Sequence, residues 1–331
     1  MIPKMKAPTM PDELDTPAAG PLLRYGHVLR AVSETPWAIM PETLAVIMDV
    51  LSFRAMGGQL TTAEIQARIG AEHDDKPPAA RPASARPKAG GGAVAILGLR
   101  GLIAHRASAF NDVSTPQGTS VERFTQLFRE AMANDDVSAI LIDVQSPGGS
   151  IMGITELASE IRAARGTKPI VAVANAYAAS AAYWIASAAD EVVITPSGEV
   201  GSIGVYAAHQ EFSKMDEMLG RKTTLISAGE FKVEGNPFEP LTEEAQAYIQ
   251  ELVNETYGVF IADIAKSRGV KVAAVRGGFG QGRMVRAKDA VAMGMADRVD
   301  TFDNTLSRLL TGRGRPRGRS AATAGRHFDF V

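Results

Sequence analysis

Three short segments combine residue types and positions that can do chemistry. The first is Ser146-Pro147-Gly148-Gly149-Ser150, between an apolar run and an amphipathic one. Paired glycines let the backbone approach a ligand closely, and their N–H groups can face an oxyanion beside a helix N-terminus. An ordinary strand-to-helix turn would use the same residues. The second is Ala178-Ala179-Ser180-Ala181-Ala182-Tyr183. A serine just past a buried strand sits at the carboxyl edge of a parallel sheet, where the sites of α/β folds gather. Its small neighbours leave room for a substrate carbonyl to reach Oγ, although a helix N-cap serine looks the same in sequence. The third is Gly229-Glu230-Phe231-Lys232-Val233-Glu234-Gly235-Asn236-Pro237-Phe238. A lone loop lysine is usually solvated. Partly withdrawn from water, a lysine amine gives up its proton more easily and can serve a serine as general base without a histidine.

Other chemistries leave no trace. There is no Gly-x-Gly-x-x-Gly after a strand, no Gly-Lys-Ser/Thr phosphate loop and no Gly-x-Ser-x-Gly elbow. The histidines (His27, His73, His105, His209 and His327) are scattered, with none at metal-ligand spacing. Cysteine is absent, which excludes disulfides, a thiolate nucleophile and Cys-held zinc or iron-sulfur clusters. No cofactor and no metal are expected. The chain of 331 residues is 45% hydrophobic and 22% charged, an ordinary globular composition. Lys plus Arg (35) nearly balances Asp plus Glu (37), so whole-chain charge does not drive nucleic-acid binding. Near the N-terminus the longest apolar run, Leu44-Ala45-Val46-Ile47-Met48, stops at Asp49, far short of the roughly 20 residues that span a bilayer. No secretory signal order appears in residues 1–30. A soluble protein with no membrane contact is expected.

The elements that must hold these segments alternate along the chain. Val94 to Leu99, Ala139 to Val144, Ile170 to Val173 and Val192 to Ile194 are short apolar runs, read as buried strands. Between them, Thr119-Ser120-Val121-Glu122 reads as a capping box opening a helix with Val121, Phe124, Leu127, Phe128 and Met132 on one face. Ile151 to Ala164 has helical apolar spacing, and the small residues from Ala178 to Ala189 predict a close-packed helix. Thr242 to Arg268 reads as one long amphipathic helix, with a shorter one over Ala287 to Gly294. Repeated strand-helix-strand units imply an α/β domain with a mainly parallel sheet.

Two composition shifts divide the chain. Residues 73–92, HDDKPPAARPASARPKAGGG, are too poor in large apolar side chains to fold and read as a flexible linker. Before it, residues 1–72 hold a small helical unit, with one helix from Pro41 (Leu44, Ile47, Met48, Leu51) and another from Thr62. After it, residues 93–300 are read as the α/β domain that holds the three segments. Residues 301–331 are an extension whose Arg313, Arg315, Arg317 and Arg319 alternate with Gly and Pro in a basic tail. That tail is either a solvated end or a handle for an anionic partner.

Together SPGG, AASAAYWIASAADEVVITPSGEVGSIGV, GEFKVEGNPFEPLTEEAQ and GRMVRAKDAVAMGMADRV resemble the SppA (signal peptide peptidase A, protease IV) family of Ser-Lys serine peptidases, from about Val94 to Val299. The resemblance implies a ClpP/crotonase-like fold and assembly into rings, with serine and lysine meeting across neighbouring folded units. By position, Ser180 matches the nucleophile, Lys232 the general base, and Gly148 and Gly149 the oxyanion turn. Ser202 matches a hydroxyl that positions the lysine amine. One catalytic unit per chain then requires a homo-oligomer. Ala181-Ala182 departs from the glycines frequent in the family, which implies a narrower substrate groove. The helical N-terminal unit and basic tail are similar to phage and prophage members like the lambda capsid-assembly protease C, which act on scaffold and portal proteins inside the procapsid. That implies protein substrates such as scaffold, portal or capsid proteins, and a procapsid in the host cytoplasm. Three alternatives stand beside this reading. They are a soluble signal-peptide or general peptidase of the bacterial cytoplasm, an acyl-CoA enzyme on a crotonase-like fold, and a catalytically dead scaffold.

Overall fold

The computed structural model describes residues 36–55, 83–85, 92–106 and 118–312. In chain order these form β1 (Trp37–Ile39), α1 (Pro41–Ala55), β2 (Ala83–Ala85), β3 (Ala93–Arg100), β4 (Leu102–Ala104), β5 (Gly118–Ser120), α2 (Val121–Ala133), β6 (Val137–Ser146) and β7 (Gly148–Ser150). There follow α3 (Ile154–Ala163), β8 (Ile170–Ala179), α4 (Ala181–Ser187), β9 (Glu191–Ile194), β10 (Glu199–Gly201), α5 (Ser213–Met218) and α6 (Glu243–Arg268). The chain ends its described part with α7 (Val272–Gly278), β11 (Met284–Arg286), α8 (Ala287–Ala292), β12 (Arg298–Val299) and α9 (Phe302–Leu310).

The expected α/β architecture is present. The main sheet runs β11-β10-β8-β6-β3-β2, with β9 beside β8 and β12 beside β9. Its central pairs β3/β6, β6/β8, β8/β9 and β8/β10 are all parallel. Strands buried on both faces explain the continuous apolar runs. One face carries Phe124, Phe128, Leu157, Ile161, Trp184, Phe260 and Ile264 from α2, α3, α4 and α6. The other places Val94, Leu141, Val171, Val173 and Val193 beneath Leu309 of α9. A second, smaller sheet has the order β1-β7-β4-β5.

Several elements differ from the sequence reading. Ala178 and Ala179 finish β8 instead of starting a helix, because pairing with β10 extends the strand to the sheet edge. The N-cap of α2 is Ser120, which accepts from the Arg123 N–H; Thr119 bonds to the Arg100 backbone instead, so no reciprocal capping box forms. Within the segment read as a flexible linker, Ala83–Ala85 is a strand on the edge of β3, where unpaired backbone groups recruit even small residues. Helix α9 opens the 301–331 extension, where the sequence neither predicts nor excludes an element, its start capped by the Thr301 hydroxyl. The helix read from Thr62 and the basic tail lie outside the described residues.

Candidate active site

Adjacent parallel strands deliver the candidate residues to one edge. Ser146 at the end of β6 is level with Ala178, and Ala179 of β8 is level with Gly201 of β10. The residues that follow these strand ends are therefore neighbours: Gly148 and Gly149 after β6, Ser180 after β8, Ser202 after β10. The backbone binds them directly, since the Ser180 N–H donates to the Gly201 carbonyl at 2.7 Å.

Ser180 holds an unusual backbone, φ 54° and ψ −118°. A positive φ costs a non-glycine residue on the order of 1–3 kcal/mol unless the surroundings impose it. Here they do. Every residue of α4 is buried, Trp184 stacks on Phe260 with centroids 4.3 Å apart, and the Trp184 indole donates to Asp263 at 3.0 Å. Tyr183 donates its hydroxyl proton to the Met295 carbonyl at 2.9 Å. Although Ser180 stands at the N-cap position, its side chain caps nothing. Its Oγ points to the Gly204 carbonyl at 3.5 Å. The N-cap alternative is thereby removed. Ser202 shares the strain, with φ 51°, and is buried beside Ser180 with its N–H donated to the Arg283 carbonyl.

The Pro-Gly-Gly segment is a strand more than a turn. Gly149 lies so close to β4 that an added Cβ would stand 1.9 Å from the Ile103 carbonyl oxygen. Gly148 has φ 96°, and a Cβ there would meet the Ala38 oxygen at 2.3 Å and the Ser180 Cβ at 3.0 Å. Only glycine fits either place. The Gly148 N–H donates to Ser146 Oγ at 3.1 Å, and Ser146 donates in turn to the Gly101 carbonyl at 2.6 Å. Ser146, unremarkable in sequence, thus orients the glycine pair.

Among the described residues, no hydrogen bond joins Lys232 to Ser180, whose hydroxyl turns to the Gly204 carbonyl. Lys232 lies exposed in a compact turn after Gly229, whose carbonyl accepts the Lys232 N–H at 3.2 Å. Buried Asn236 fixes that turn, donating to the Val233 carbonyl and accepting from the Phe238 N–H, both at 2.9 Å. His209 reaches the Asn236 carbonyl rather than any catalytic group. Among the described residues, no group of His, Cys, Asp and Glu is arranged to hold a metal ion.

Peptidase family S49 matches residues 162–314. The chain carries a peptidase family S49 domain. The matched span holds Ser180, Ser202 and Lys232, while Gly148 and Gly149 precede it. Capsid assembly protease C of Escherichia phage lambda is 29% identical over 270 residues, 78% of this chain and 59% of the phage protein. Head-tail preconnector protein GP5 of Enterobacteria phage P21 is 30% identical over 218 residues, 66% of this chain and 43% of that protein. The chain thus spans less than two thirds of either relative. Among solved structures, a mutant of the 1510-N membrane-bound stomatin-specific protease is covered over 95% of its length and 70% of this chain, at 14% identity and a TM-score of 0.41. Among the described residues, no helix is long and apolar enough to cross a membrane.

Proposed function

We propose that the chain is a serine endopeptidase in which Ser180 attacks the substrate carbonyl and Lys232 of a neighbouring copy takes its proton. One observation carries this reading: a buried serine, held at positive φ with a hydroxyl that caps nothing, stands against the glycine pair at the carboxyl edge of a parallel sheet. In the reaction Ser180 Oγ bonds to the carbonyl carbon as its proton passes to the Lys232 amine. Backbone N–H groups of the Gly148-Gly149 segment stabilise the resulting oxyanion, the Gly148 N–H exchanging its bond to Ser146 Oγ for one to the oxyanion. The amine returns the proton to the leaving nitrogen, and water releases the acyl group by the same route. Ser202 orients the lysine amine.

The lysine comes from a neighbour because its own turn is exposed and flanked by apolar surface. Met218, Leu219, Ile226 and Phe231 are 87%, 60%, 96% and 54% exposed. Four large apolar side chains this exposed within residues 218–231 fit a surface that a neighbour covers, and a homo-oligomeric ring would cover them. Similarity to capsid assembly protease C over 78% of the chain favours scaffold, portal or capsid proteins as substrates, inside a procapsid in the host cytoplasm.

The test is hydrolysis of an unstructured protein such as casein by the full chain and by Ser180→Ala. Cleavage that disappears in the variant supports the peptidase. Undiminished cleavage by folded Ser180→Ala removes Ser180 as nucleophile.

A further inference from the structure

A peptide attacked by Ser180 has to run beside Gly148 and Gly149, so that its carbonyl oxygen lies about 3 Å from their donors. Sheet edges bind extended peptides by adding them as a strand. One edge of β7 is already closed by β4, with Ile103 opposite Gly149. The other edge is occupied by the chain itself. Strand β1 pairs there antiparallel, Trp37 with Ser150, Ala38 with Gly149 and Ile39 with Gly148. Just beyond, the Met40 N–H donates to the Pro147 carbonyl at 2.9 Å. On its far side β1 exchanges two backbone hydrogen bonds with Tyr206, at 2.8 and 3.1 Å, on the segment leading away from Ser202.

We propose that β1 is an intramolecular occupant of the peptide-binding cleft, and that substrate enters by displacing it. This rests on Ser180 being the nucleophile. Three further observations support it. The Ala38 carbonyl and the Ser180 Cβ both crowd the space that a Cβ on Gly148 would fill, so β1 lies against the nucleophile. Ser180 is fully buried and both glycines are buried, a state in which no external peptide reaches them. The strand is only three residues long, and its buried side chains alternate in direction. Trp37 and Ile39 enter an apolar cluster with Leu102, Tyr206 and Phe212, while Ala38 faces the main core. A short strand anchored by two side chains opens more readily than the sheet core. The pattern also states the substrate class: an extended segment with a small residue between two bulky apolar ones.

The test measures covalent modification of Ser180 by a small fluorophosphonate, followed by mass spectrometry on the full chain. Ile39→Asp removes an anchor of β1 and leaves the residues Ser180, Gly148, Gly149 and Lys232 themselves unchanged. It should raise the modification rate about tenfold, and an unchanged or slower rate in the folded variant overturns the proposal. A second variant keeps the test independent of that substitution. Because the chain has no cysteine, Trp37→Cys with Ser150→Cys introduces one pair, at positions directly opposite in β1 and β7 and within reach of a disulfide. Oxidation should stop modification of Ser180 and reductant should restore it; equal rates in both states overturn the proposal. If Ser180 stays unmodified in every form, the nucleophile assignment itself falls, and the occupancy proposal with it. If Ser180 reacts equally fast with β1 free or locked, only the occupancy proposal falls.

Discussion

At the residue scale, the proposed dyad joins two side chains under opposite constraints. Ser180 is locked by packing, and among the described residues its hydroxyl makes one long hydrogen bond, to the Gly204 carbonyl. Lys232 is exposed and free of ion pairs among the described residues, so replacing it should change stability by no more than about 0.5 kcal/mol. Its loss should nevertheless lower casein hydrolysis by at least ~100-fold, the low end of what a positioned base contributes. Lys232→Arg should be as inactive as Lys232→Ala, because a guanidinium keeps its charge but cannot accept a proton. Initial rates and urea melts on both variants check this pair of outcomes. An active arginine variant would assign Lys232 an electrostatic role instead of a basic one.

At the element scale, a strand and a helix make different demands on glycine. Gly149→Ala would drive a methyl group into the β4 backbone, which cannot yield as a side chain can. We expect a loss near the upper end of the ~1–3 kcal/mol typical of overpacking, read by urea denaturation. Gly258, inside α6 with open space around it, gives the opposite sign. Its replacement by alanine should stabilise by roughly 0.5–1 kcal/mol. Tyr206, paired to β1, offers a titration. Burial, with the Glu42 carboxylate adding to it, pushes its phenol up to about 12. An unfolded tyrosine ionises near 10. Between those values the unfolded chain has released a proton that the folded chain retains, so stability falls as pH rises through this window. Ultraviolet titration against Tyr206→Phe should show one phenol ionising near 12, and the variant should lose that part of the alkaline destabilisation.

These elements also mark what could be read in advance. Strands β3, β6 and β8 and helix α6 announce themselves, because burial on two faces or along one stripe dictates composition locally. Strand β7 does not, since Gly-Gly-Ser has no strand preference and is extended only by its neighbours β1 and β4. Strand β1 is three residues between Pro36 and Met40, far too short for any period to show. Of the candidate site, Ser180 and the glycine pair were legible as motifs and Ser202 through the family resemblance alone, and the strand register brings them together. The supporting roles of Ser146, Gly204 and Asn236 depend on contacts across the fold and leave no local pattern.

At the scale of the whole molecule, the account stands on the pairing of Ser180 with the Lys232 of another copy. Complementation tests it most directly. Ser180→Ala and Lys232→Ala proteins, each inactive alone, are co-expressed with different tags, and oligomers carrying both are isolated. Some neighbours in such an assembly bring an intact Ser180 against an intact Lys232, while no single chain holds both. Casein hydrolysis should therefore return in the mixed oligomers to a fraction of the unmodified protein's rate. Mixed oligomers, verified by mass to contain both variants, that remain as inactive as either parent would contradict a dyad shared between copies.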